Sequence, residues 1–261
     1  MKKNTEKYRT IVYSGAWILL LLVLAISMGF VNNTRKQAKC TGLEIWVNND
    51  IGNYFIDEDD IRDFIYESTG DPIGQVLNNI DLASLEVSLG QMDVVRKAEV
   101  FTDLKGQINI EIEQRTPIAR IFYKNGKSAY MDEKGDVMPL SSKYTSRVIV
   151  INGDVPIPVE VENANVKANP QWLSLYNLVN VIRNDAFFNA QFEQIYISSE
   201  GEYELTPRVG RHSILLGKDV DLELKLKKLK LFYQEGISKV DWNKYKQIDL
   251  RFSDQIVCAK R

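Results

Sequence analysis

A single histidine and two cysteines among 261 residues leave this chain with little of the usual equipment of catalysis. His212, between Arg211 and Ser213, would have to act as a base alone: no second histidine completes a metal site, and no Gly-x-Ser-x-Gly elbow supplies a nucleophile. Glycine-rich phosphate loops are absent. The acidic pairs Glu111/Glu113 and Asp221/Glu223 read as solubilising charges on solvent faces rather than paired acid and base. The Asp57 to Asp60 cluster lacks the glycine and distal glutamate of a calcium loop, and helix capping accounts for it. Cys40 and Cys258 stand 218 residues apart and are expected to be free thiols. No internal repeat and no low-complexity tract breaks the sequence. Catalytic residues, metals and cofactors are therefore all expected to be none.

Charge is missing from one stretch altogether. Residues 11–31 contain no Asp, Glu, Lys, Arg or His, and as a helix they would measure about 31 Å against a hydrocarbon core of ~30 Å. A cleaved signal peptide has an apolar region of only about 7 to 15 residues, and Lys39 puts a charge where a lipoprotein site at Cys40 needs small apolar residues. The stretch is read as a retained single transmembrane helix. Lys2, Lys3, Lys7 and Arg9 precede it and only Arg35, Lys36 and Lys39 follow, which places the 1–10 tail in the cytoplasm and 32–261 outside. Residues 1–31 carry four basic groups and one acidic, leaving 29 basic against 34 acidic groups beyond, so a nucleic-acid partner is not expected.

After a 32–41 linker, Leu43, Ile45 and Val47 alternate with Glu44, Trp46 and Asn48, the period-2 pattern of a half-buried strand. Asp57 is an N-cap for a helix with Ile61, Phe64 and Ile65 on one face and Gly70 as its stop. Asp81 repeats the device, with Leu82, Leu85 and Leu89 inward and Gly90 as the stop. Val94 to Thr102 and Gln107 to Arg115 then form two strands about a turn at 103–106, giving the order β-α-α-β-β over 42–115. That order resembles the POTRA module, a protein-binding unit in which two helices cover one face of a three-stranded sheet.

Pro117 holds Thr116 extended at a stiff seam. Beyond it, 116–261 reads as a second domain: a hairpin about Asn125-Gly126, a turn at 132–135, a strand from Arg147 to Ile151, and an irregular connection from Asp154 to Asn169. Asn169 and Pro170 open a helix to about Ala186. Three short strands follow, near 192–197, 203–205 and 213–216. A second long helix from Asp219 to Glu235 turns Leu222, Leu226, Leu229 and Tyr233 inward and Lys225, Lys227, Lys228 and Lys230 to solvent. The fold class is α+β: one transmembrane helix, a β-α-α-β-β module, then a mostly antiparallel β domain with two longer helices.

The seam Arg115-Thr116-Pro117-Ile118-Ala119-Arg120, the stretch Tyr130 to Leu140 with Asp132-Glu133-Lys134-Gly135 at its turn, and the ending Ile248-Asp249-Leu250-Arg251-Phe252 carry a resemblance. In order and spacing they are similar to the FtsQ/DivIB family of cell-division proteins. The resemblance implies a non-catalytic inner-membrane protein of the division septum, bound through its terminal strand to a coiled-coil protein of the FtsB/DivIC type. That partner is itself joined to an FtsL-type protein, with septal peptidoglycan synthase components as further partners. Phe252 stands where many relatives have Tyr. The rival readings are a POTRA-type component of envelope assembly or secretion, a periplasmic enzyme, and an anchored substrate-binding module.

Edge chemistry points to the same place. A last strand has no later segment to cover it, so unless earlier strands flank it on both sides, which the same composition would also suit, it offers an open edge; Ile256, Val257, Cys258 and Ala259 carry no blocking charge or proline before Lys260. Ser253 and Asp254 interrupt the alternation, predicting a bulge or bend after Phe252 that leaves Gln255 to Lys260 as the pairing edge. The expected partner-binding residues are Arg251, as a charge contact, and Phe252, as an aromatic anchor. Ser253, Asp254, Gln255, Ile256, Val257, Cys258, Ala259 and Lys260 complete the set.

Overall fold

The computed structural model describes residues 17, 19–23, 38–49, 52, 54–156, 169–218, 220–237 and 242–261. Among them no helix is long and apolar enough to cross a membrane. Of the expected 11–31 span, Trp17 and residues 19–23 are helical with exposed side chains; the rest of that expectation, its 1–10 tail and most of the 32–41 linker lie outside the described residues. Two compact units are present, Met1–Asn48 with Asp57–Glu113, and Asn49–Ile56 with Gln114–Arg261.

The first unit follows the predicted order: β1 (Gly42–Asn48), α1 (Glu58–Thr69), α2 (Leu82–Gly90), β2 (Val95–Thr102) and β3 (Gln107–Gln114). β3 lies between the other two strands, parallel to β1 with Ile45 opposite Ile110 and joined to β2 by the turn at 103–106. Asp57 caps α1 in a reciprocal box with Asp60, and Gly70 at φ 71° ends it. Asp81 caps α2 by accepting from Ser84 N. Gly90 does not stop this helix: α2 includes it, and Gln91, itself right-handed, is the cap, so no left-handed residue is needed there. α1 lies against β1 and α2 against β2. Their buried residues Ile61, Ile65, Leu85 and Leu89, with Ile45, Ile108, Ile110 and Ile112 of the sheet, make a one-sided core. Both helices are amphipathic over barely three turns, so this core, rather than helix propensity, holds them.

The second unit is a nine-stranded mixed sheet. Its strands are β4 (Pro117–Phe122), β5 (Ser128–Asp132), β6 (Val137–Met138), β7 (Ile149–Gly153), β8 (Phe192–Ile197), β9 (Tyr203–Pro207), β10 (Ser213–Gly217), β11 (Tyr245–Asp249) and β12 (Val257–Lys260). They lie in the order β12-β11-β10-β9-β8-β7-β4-β5-β6. Hairpins supply most of the pairings, but β4 with β7, β7 with β8 and β10 with β11 are parallel. A parallel neighbour needs a crossover, which explains the two longer helices: α3 (Pro170–Asn184) with the short α4 (Ala186–Gln191) links β7 to β8, and α5 (Leu222–Leu231) links β10 to β11.

Three helix boundaries differ from expectation, the first being the start of α5 at Leu222 instead of Asp219, after Asp221 at a left-handed φ of 54°. The periodic run to Ala186 breaks at Asp185, which is extended and accepts from Phe187 N and Phe188 N, so it starts α4 instead of continuing α3. The run ending at Glu235 is α-helical only to Leu231 and closes in a π-helical turn, Phe232–Gly236. Trp172, Leu175, Leu178, Val179 and Ile182 of α3 and Leu226, Leu229 and Tyr233 near α5 join Ile121, Ile151, Ile195, Leu205, Ile214 and Ile248 in one core. Trp172 also donates Nε1 to Gly135 O at 2.8 Å, tying α3 to the 132–135 turn. At the seam, Arg115 donates Nε to Asp132 at 2.8 Å and Nη2 to Val137 O at 3.1 Å. Asp132 in turn accepts from Lys134 N and Asp136 N. Of the Asp154 to Asn169 connection, 157–168 lies outside the described residues. Cys40 and Cys258 are free thiols.

Candidate functional site

The residues predicted to meet a partner converge on the terminal hairpin. β11 pairs with β10 on one side and β12 on the other, Ile248 opposite Cys258 and Asp249 opposite Val257. Between the strands, 250–256 forms the predicted bend, but pairing starts at Val257 rather than Gln255. Ile256 is half-buried against the core, and Gln255, exposed, lies before the strand. Arg261 N donates to Lys244 O, so residues 257, 259 and 261 turn their polar backbone groups toward β11. By alternation, Cys258 and Lys260 turn theirs to the open side.

Arg251 is not a free charge contact. Its Nε and Nη2 donate to Asp249 at 3.0 and 2.8 Å, its backbone N donates to the same carboxylate, and Nη1 reaches Glu202 at 3.3 Å. The guanidinium beside Asp249 holds that carboxyl below its usual range and raises the pKa of Arg251 in return. The arginine stem crosses Gly217, where φ is +73° and an added Cβ would sit 2.8 Å from Arg251 Cγ. Glycine there lets the brace lie flat. Lys228, read as part of a solvated face, closes the other side of the bend: its Nζ donates to Phe252 O at 2.9 Å and to Ser253 O at 2.7 Å. Lys225 and Lys230 are also engaged, with Lys218 O and with Asp185. The turn is thus held from both sides while the Phe252 side chain stays 46% exposed. Lys228, Glu202 and Gly217 escape a sequence reading, because only the tertiary fold brings them to the hairpin.

Four strands lie at the ends of the two sheets, and they differ in protection. β2 has its Val100 N taken by Glu86 Oε2 at 2.9 Å. β6 is two residues long, precedes Pro139 and gives its Val137 O to Arg115. β12 is paired, among the described residues, with β11 alone and has no such cover. Its inner side is apolar: Cys258 is half-buried, and burial pushes its thiol pKa up. The fourth, β1, pairs with β3 alone among the described residues.

Comparison with known proteins places this geometry. The family model described as "FtsQ/DivIB, C-terminal related" matches residues 116–259, more than half of the chain and all but the last residue of β12. The chain belongs to the FtsQ/DivIB family. A POTRA-like domain model matches residues 38–113, the β-α-α-β-β unit. The cell division protein FtsQ of Rhodothermus marinus is 27% identical over 193 residues, which is 70% of this chain and 67% of that protein. FtsQ/DivIB membership thus rests on the second unit, and the Asp249-Leu250-Arg251 ending that suggested it is the brace of the terminal hairpin.

Proposed function

We propose that this protein is a non-catalytic, membrane-anchored scaffold of the bacterial cell-division complex. In this reading the 11–31 stretch spans the inner membrane once and residues 32–261 act outside the cytoplasm, at the septum. The terminal edge takes a strand from a small coiled-coil protein of the FtsB/DivIC type, itself joined to an FtsL-type protein, and septal peptidoglycan synthase components are further partners. The observation that carries the proposal is the open side of β12, where the backbone groups of Cys258 and Lys260 turn outward beside the braced turn. Family membership and the name of the Rhodothermus relative support the cell-division setting. An incoming strand would gain affinity from main-chain hydrogen bonds and register from side chains, with exposed Phe252 as the aromatic anchor.

The test is recovery of partners from dividing cells. Detergent-extracted wild-type protein is expected to bring down two small coiled-coil proteins, and Cys258→Pro, which deletes an outward N–H, to lose them while circular dichroism stays unchanged. A folded Cys258→Pro that still recovers both would move the binding site away from β12.

A further inference from the structure

We infer that the free edge of β1 is a self-association surface, which takes the β1 of a second copy in antiparallel register centred on Ile45. β1 is seven residues long, Gly-Leu-Glu-Ile-Trp-Val-Asn, with no proline, no lysine and one charge, Glu44. Natural edges of that length are usually shortened, covered or charged. Among the described residues β1 pairs with β3 alone.

The approach to the strand shows which groups face outward. Thr41 N donates to Gly106 O, on the β3 side. Cys40 N donates to Gln75 O, its carbonyl accepts from Gly74 N, and Leu77 N donates to Ala38 O, all on the opposite side. Alternation along the strand then turns the N–H and C=O of Gly42, Glu44 and Trp46 to the open edge. The 74–77 segment covers residues 38–40 and stops there, so the open stretch starts at Gly42.

The sequence of that stretch is complementary to itself. Directly opposed residues in an antiparallel pair share a face, so a two-fold axis has to pass through a residue. Centred on Glu44, it would oppose two carboxylates; centred on Trp46, it would leave Gly42 and Leu43 unpaired. Centred on Ile45, every residue of β1 finds a mate: Glu44 meets Trp46, Leu43 meets Val47 and Gly42 meets Asn48. The outward groups of Glu44 and Trp46 then exchange hydrogen bonds, the half-buried Leu43 and Val47 are covered, and Trp46, 62% exposed in one copy, gains a partner. The two three-stranded sheets become one of six.

Sedimentation of the full chain in detergent tests this, with variants at exposed positions that spare the core. Wild type is expected to be a dimer. Trp46→Glu sets two carboxylate pairs in opposition and is expected to raise the dimer dissociation constant about tenfold. Adding Glu44→Lys to Trp46→Glu restores opposite charges in this register and is expected to restore the dimer. Cys258→Pro should leave it intact. A monomeric wild type overturns the inference, as does a dimer that ignores Trp46→Glu or one that Cys258→Pro dissolves. An unrepaired Trp46→Glu/Glu44→Lys double variant overturns the register and with it the self-complementary surface.

Discussion

Lys228 shows how much a bend depends on a charge that a sequence reading leaves in solvent. Replacing Lys228 by Met keeps the stem that covers α5 but leaves Phe252 O and Ser253 O without their donor. The turn should loosen without unfolding the sheet. We expect Lys228→Met to weaken capture of the coiled-coil partner by ~1 to 3 kcal/mol in calorimetry, with faster amide exchange at 252–256 and an unchanged melting temperature. His212 makes a pH prediction of definite sign. It is buried, its Nε2 lies 2.7 Å from Tyr233 Oη, and desolvation holds its pKa below the ordinary value, partly offset by the Trp242 carbonyl. The unfolded chain therefore takes up the proton first. The stabilisation is complete above about pH 6.5 and falls as pH drops below it, by up to ~1.4 kcal/mol per pH unit. Thermal melts between about pH 7.5 and pH 5 should show this slope in wild type and lose it in His212→Gln. Asp249 is depressed likewise by Arg251, so its contribution persists above about pH 4 and is lost as pH falls through the lower folded value.

The helices of the first unit test how far an apolar face can be trusted. Leu85 is 3% exposed on α2, and Leu85→Ala should cost about 2 to 5 kcal/mol in a denaturant melt, a large share of what so small a core provides. The comparison variant is Val87→Ala, at an exposed position, expected within ~0.5 kcal/mol of wild type. Equal losses would mean that the helix face is misassigned. Glu86 is unsuited as the control, since its carboxylate bonds Val100 N and its removal uncovers the β2 edge.

For the whole molecule, the proposed placement of residues 32–261 outside the cytoplasm is argued from the uncharged 11–31 stretch and its basic leading flank. Cys258 reports on it. Because the thiol is half-buried with a raised pKa, labelling of spheroplasts by an impermeant maleimide should be slow on the native protein and fast in mild denaturant. Labelling only after lysis would reverse the topology.

Residues close in sequence were readable because their causes are local. Asp57, Asp81 and Asn169 cap their helices since a side-chain oxygen reaches an N–H two or three residues on, and Asn125-Gly126 turns a hairpin on its own geometry. The order β-α-α-β-β and the bend after Phe252 follow from the same short-range patterns. What tertiary structure decided is everything that depends on partners distant in sequence. The three parallel joins of the large sheet, the start of β12 at Val257, the hold of Lys228 on the last turn and the reach of Arg251 to Glu202 are of this kind. An edge strand and a central strand can share one composition, because the same alternation of side chains serves both; only the neighbours that the fold supplies or withholds determine which backbone groups are left to bind.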